Sequence, residues 1–188
     1  DALTDCTICG AGKYQTLDTQ ISDTCKACPA GTYLIDTAAT IASHNEVSDC
    51  TICGAGKYSA ATAATLANTC TDCPAGTYLI DTAVTIVSHD QLSDCTICGA
   101  GKYSVTTAAT LANICTDCPS GTYMDVGNDG TDATEHDGTN DCKQCEKGKY
   151  QDVPGQNACK VCIGGKYRET PETSHSYNVS SNNNANLD

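Results

Sequence analysis

The chain has 188 residues with ten basic against twenty-three acidic side chains, a formal net charge of −13. That balance excludes nucleic acid and anionic lipid as partners, and with no run of about 18 apolar residues nothing in the chain is expected to insert into a membrane. Nine Tyr, one Met and no Phe or Trp leave too little bulk for one large core, while sixteen Cys point to small modules held by covalent staples.

Read from the N-terminus, the pattern Cys-x-x-Cys-x-x-Gly-[Lys/Thr]-Tyr occurs eight times, ending at Tyr14, Tyr33, Tyr58, Tyr78, Tyr103, Tyr123, Tyr150 and Tyr167. Its copies hold all sixteen cysteines: Cys6, Cys9, Cys25, Cys28, Cys50, Cys53, Cys70, Cys73, Cys95, Cys98, Cys115, Cys118, Cys142, Cys145, Cys159 and Cys162. Cysteines, glycines and aromatics that recur in step mark an array of small modules. Short loops opening with Gly-Lys-Tyr alternate with long loops opening with Gly-Thr-Tyr, and the full unit repeats after 44, 45 and 47 residues. The units read as 1–49, 50–94, 95–141 and a partial 142–172, followed by a Ser- and Asn-rich tail, 173–188, expected to be a flexible end or linker. The segments Cys28–Cys53 and Cys73–Cys98 are nearly identical, which implies recent duplication and one repeated stacking geometry. Ala2-Leu3-Thr4-Asp5-Cys6 repeats the end of a long loop, Gln91-Leu92-Ser93-Asp94-Cys95. The array is therefore expected to have continued upstream, and a chain opening on Asp1 without Met to be a mature or excised product.

Within each copy, the glycine three residues after the second cysteine is expected at positive φ. The tyrosine two residues on is expected to pack its ring on the adjacent disulfide, hydroxyl wet. Tyr78 to Val87, rich in Val, Ile and Thr, reads as short strands, and the Ala-rich stretch Ala60 to Ala67 as a helical turn. The fold class is a small disulfide-rich repeat array: an elongated rod of short β-hairpin and turn modules with little regular secondary structure.

Two disulfide connectivities fit. In a sequential scheme the second cysteine of each pair closes on the first of the next, from Cys9–Cys25 to Cys145–Cys159, leaving Cys6 and Cys162 to outside partners. In a paired scheme each four-cysteine unit closes on itself, as in Cys6–Cys25 with Cys9–Cys28. The sequential scheme is favoured because it puts one bond in every loop, long or short. The same spacing is found in zinc ribbons, but evenly strung pairs on an acidic chain favour disulfides and an oxidising, extracellular setting. A thioredoxin-like role lacks its βαβ context. No triad, carboxylate pair or phosphate loop is present, so no catalysis is expected.

The loop between Cys118 and Cys142 holds Asp125, Asn128, Asp129, Asp132, Glu135, Asp137 and Asp141, oxygen ligands of the kind calcium takes. Gly127 and His136 stand where an EF-hand loop needs ligands, which favours a solvated acidic loop at 125–141; no other cofactor is expected. His44 and His89, at equivalent places in two long loops, read as surface residues. Asn178-Val179-Ser180 is a glycosylation sequon, so a covalently attached glycan is expected at Asn178.

The segments CTDCPAGTY and CTICGAGKY resemble ephrin-receptor-like cysteine-rich repeats, close kin of tumour necrosis factor receptor modules and similar to arrays in surface proteins of protists. The resemblance covers Cys6 to about Tyr167 and implies a disulfide-laddered extracellular rod without implying a ligand. The strict period and simple Ala/Thr-rich loops depart from receptor modules. In the long loop Tyr78, Ile80, Val84 and Ile86 alternate with Leu79, Ala83 and Val87, so apolar groups face both ways in a module too thin to bury both. This favours an extracellular structural protein that self-associates into a homopolymer, a filament, appendage or surface layer, through Ile35, Ile41, Ile80, Val84 and Ile86. The other reading is a receptor or adhesin ectodomain that binds a protein or glycan.

Overall fold

The computed structural model describes residues 7–16, 24–35, 43–80, 85–125 and 132–168. Seven disulfides close the loops one after another: Cys9–Cys25, Cys28–Cys50, Cys53–Cys70, Cys73–Cys95, Cys98–Cys115, Cys118–Cys142 and Cys145–Cys159. This is the sequential scheme, and its bonded cysteines are no longer available as zinc ligands. Cys162 is a free thiol, and Cys6 lies outside the described residues.

Each loop is founded on a two-residue antiparallel hairpin. The [Lys/Thr]-Tyr dipeptide pairs with the two residues between the cysteines of the next copy: Lys13–Tyr14 with Lys26–Ala27, Thr32–Tyr33 with Thr51–Ile52, Lys57–Tyr58 with Thr71–Asp72, and so on to Lys149–Tyr150 with Lys160–Val161. The disulfide then closes the loop beside its own hairpin. Such ladders are too short to stand alone; the covalent bond removes the loop-closure entropy that would otherwise oppose them.

The Lys/Thr alternation has a local cause. After Cys-Pro the threonine hydroxyl donates to the proline carbonyl, Thr32 to Pro29, Thr77 to Pro74 and Thr122 to Pro119, each at 2.7 Å, with Thr32 and Thr77 buried. After Cys-Gly the lysine stays outside, and Lys57 and Lys102 form ion pairs across their hairpins with Asp72 and Asp117. These are exposed pairs of small energetic weight.

Short 3-10 turns lead the chain back into the cysteines. Val47–Asp49, Leu92–Asp94 and Thr139–Asp141 precede Cys50, Cys95 and Cys142. In each the aspartate carboxylate accepts a backbone N–H that the turn leaves free, from Glu46, Gln91 and Gly138 at 2.9–3.0 Å. Among the described residues there is no α-helix.

Two sequence expectations are corrected. Of Tyr78 to Val87 only Tyr78 is strand, within Thr77–Tyr78, and Ile86–Ser88 is a 3-10 turn; 81–84 lie outside the described residues. The strand ends because Leu79 turns its side chain into the core and its N–H to the carbonyl of Ala109. The helical turn expected over Ala60–Ala67 sits instead at Ala67–Thr69. Ala63 takes a left-handed φ of 53°, which brings its N–H onto the Cys28 carbonyl at 2.8 Å and Ala64 beside Tyr33.

The array is built by one bond repeated. The N–H of the motif glycine donates to the carbonyl after the next copy's tyrosine in six copies: Gly12 to Leu34, Gly31 to Ser59, Gly56 to Leu79, Gly76 to Ser104, Gly101 to Met124 and Gly121 to Gln151, at 2.7–3.2 Å. The glycine carbonyl accepts from the next copy's second cysteine, as in Cys28 to Gly12 at 2.8 Å. The glycine also lies against the loop two places ahead. A Cβ on Gly56 would stand 2.3 Å from the Ala108 carbonyl oxygen, and at φ 73° only glycine is unstrained there. Backbone bonds thus reach one loop ahead and close contacts two, so the array extends in one direction.

Candidate interaction surface

A short loop and the long loop after it share one small core. Tyr14 packs on the Cys28–Cys50 disulfide with Leu34, Tyr58 on Cys73–Cys95 with Leu79, and Tyr103 on Cys118–Cys142 with Met124. The tyrosine therefore covers the disulfide of the following loop, and the aliphatic residue after the long-loop tyrosine, not singled out from sequence, completes the core.

The histidines correct another expectation. His44, His89 and His136 are all buried. Each Nδ1 donates to a lysine carbonyl of the preceding short loop, Lys13 at 2.9 Å and Lys57 and Lys102 at 2.8 Å. Each histidine carbonyl accepts an N–H two residues further along that loop, from Gln15, Ser59 and Ser104. The histidine thus clamps the Lys-Tyr segment at both ends. The sequence signal is their spacing of 45 and 47 residues, matching that of Cys50, Cys95 and Cys142. His89→Leu would take this donor from the part-buried Lys57 carbonyl and is expected to lower stability by about 2 kcal/mol in chemical denaturation with the disulfides intact.

With Leu34 and Leu79 turned inward, the next residue in each loop turns outward: Ile35 and Ile80 are each 46% exposed. Val47 and Leu92, opening the 3-10 turns, are exposed as well, as are Leu66 and Leu111 in two short loops. These residues recur at 45 positions, so each unit presents its apolar side chains in the same place. The pattern stops in the third long loop, where Asp125 and Thr139 replace them. Of the other expected contacts, Ile86 is half-buried, and its backbone carbonyl lies against Gly31. Ile41, Val84 and Asn178 lie outside the described residues.

In the acidic loop, Asn128 and Asp129 are outside the described residues and Asp125 is exposed. Asp132 accepts from the Thr134 N–H at 2.9 Å and its hydroxyl at 2.7 Å. These bonds, the hydroxyl's first, lower its pKa below the ordinary carboxylate value. Asp141 caps Gly138, and His136 is committed to Lys102. Asp132 and Asp141 thus have partners within the loop itself, and His136 has one in the loop before it.

Hairpins, sequential disulfides and a one-dimensional bond ladder define a small disulfide-rich repeat array. A family model described as tyrosine-protein kinase ephrin type A/B receptor-like matches residues 1–45 and 130–178, together half of the chain. The chain belongs to this family of ephrin-receptor-like cysteine-rich repeats, a receptor-like family that is typically non-enzymatic. No curated protein matches it. Family and disulfides together point to an extracellular location, and no helix among the described residues is long and apolar enough to cross a membrane.

Proposed function

We propose that this chain is a structural segment of an extracellular filament, appendage or surface coat that assembles side by side with copies of itself. The observation that carries this reading is the outward apolar residue of the long loop, Ile35 in one unit and Ile80 in the next, each about half exposed at an identical place. A surface repeated at a fixed spacing is best matched by a partner with the same spacing, and a second copy has it by construction. The sequon at Asn178 adds a glycan in the tail.

The test is Ile35→Asp combined with Ile80→Asp. Expected is a loss of filaments in electron microscopy of unreduced protein and at least tenfold weaker self-association by sedimentation, roughly the loss of one central apolar contact, with all seven disulfides still formed. Assembly that survives both changes would overturn the reading. The replacement of the apolar positions by Asp125 and Thr139 in the third long loop favours a second reading. In it a receptor or adhesin uses that divergent loop for a protein or glycan ligand, and the doubly substituted protein would behave as the unsubstituted one.

A further inference from the structure

Stacking sorts the charges of this chain into two columns. Short loops lie against short loops, Gly12 on Ala63 and Gly56 on Ala108, and long loops against long, Gly31 on His89 and Gly76 on His136. The short-loop residues 54–69 and 99–114 hold no acidic side chain. Their one lysine each, Lys57 and Lys102, is paired with Asp72 and Asp117. The long-loop residues 29–49, 74–94 and 119–141 hold no lysine or arginine. Their described parts carry Glu46 and Asp49, then Asp90 and Asp94, then four acids from Asp132 to Asp141. The long-loop column is therefore acidic, and the column built on 54–69 and 99–114 is close to neutral.

Exposed apolar residues meet at the seam between the columns. The Leu34 N–H bonds to the Ala64 carbonyl and the Leu79 N–H to the Ala109 carbonyl, each at 2.9 Å. Tyr33 and Ala64 are paired in parallel, so the two chains leave this bond in the same direction. Ile35 and Leu66, each two residues past that pair, reach the same level of the seam from opposite columns. Ile80 and Leu111 repeat the arrangement one unit on. Leu66 and Leu111 are 52% and 56% exposed, so both columns contribute an outward aliphatic group.

We propose that two copies pack in parallel, seam on seam, with Ile35 and Ile80 of each lying on Leu66 and Leu111 of the other. The inference rests on the self-assembly reading, which supplies a second copy as the occupant, and adds the short-loop leucines and a direction. Two identical seams meet about a two-fold axis that runs either along the arrays or across them. Along them, the copies run the same way, and the acidic column of each faces the neutral column of the other. Across them, the copies run opposite ways, and acidic column faces acidic column, a like-charge juxtaposition that disfavours this packing.

The test uses two variants of the full chain, Ile35→Asp with Ile80→Asp and Leu66→Lys with Leu111→Lys. Sedimentation and electron microscopy of unreduced protein are the readouts. Each variant alone is expected to self-associate at least tenfold more weakly than the unsubstituted chain. An equimolar mixture is expected to recover association to within about threefold. In parallel packing the introduced aspartates then face the introduced lysines across one half of the contact, and native aliphatic pairs fill the other half. Long loops packed on long loops would give no such rescue. The substituted side chains are about half exposed, and seven disulfides counted by mass spectrometry in each variant separate a lost contact from a lost fold. A mixture no stronger than its components would overturn the proposal, as would undiminished assembly of the lysine variant alone. Undiminished assembly of the aspartate variant would overturn the lateral reading itself, so the two failures are distinguishable.

Discussion

Gly56→Ala is expected to lower stability by about 3 kcal/mol or more, while Gly54→Ala two residues earlier is expected to change it by less than about 0.5 kcal/mol. Both glycines belong to the same Cys-Gly-Ala-Gly turn, but their surroundings differ. Gly56 sits at φ 73° with the Ala108 carbonyl oxygen 2.3 Å from its Cβ position, whereas Gly54 has nothing within 4 Å. An added methyl group at Gly56 is penalised twice, once by its own backbone and once by rigid backbone of the loop two places ahead. Relief requires the two short loops to separate, which would stretch the Gly56–Leu79 and Ala108–Cys73 bonds of 2.9 Å. Chemical denaturation of both variants under non-reducing conditions measures the difference. Equal stabilities would mean that like loops do not stack as described.

Removing one central rung, by Cys73→Ala together with Cys95→Ala, is expected to lower stability by about 4 kcal/mol. About 3 kcal/mol of that comes from the loop-closure entropy of a bond spanning 22 residues. The rest comes from the packing of Tyr58 and Leu79 on the lost sulfurs. Because the array is one-dimensional, the loss should stay local. Hydrogen exchange should rise at Gly56, Ser59 and Leu79, whose N–H groups bond across the affected loops. It should remain unchanged at Gly121, two loops further on, whose N–H bonds to Gln151 in the loop beyond. Loss of protection along the whole chain would instead indicate a single cooperative domain.

Much of this fold was legible in the sequence because cysteines leave a discrete record. Their even stringing made one bond per loop the economical arrangement, and the structure closes the loops in that order. Gly12 and its equivalents announced a left-handed turn, since a single small residue recurring at one place in every copy has few other uses. The histidines were not read correctly. His44, His89 and His136 are polar and follow Ser or Glu, as surface residues do, and only the fold brings a lysine carbonyl 31 to 34 residues away onto each Nδ1. Leu79 and Ile80 show the same limit for the interaction surface. Two adjacent aliphatic residues are alike in composition, and the twist of a two-residue strand sends one to the disulfide and the other to solvent.

What the sequence by itself determined is the covalent and periodic part: sixteen cysteines in eight copies, a unit of about 45 residues, turns at the glycines, and an acidic chain built for an oxidising setting. Those features are local, and local chemistry is written residue by residue. What only the tertiary structure decided is which loops touch. Short loops stack on short loops and long on long, and histidines clamp the loop before them. These contacts join residues some 30 to 60 positions apart, and at that range a backbone carbonyl has no signature in the sequence.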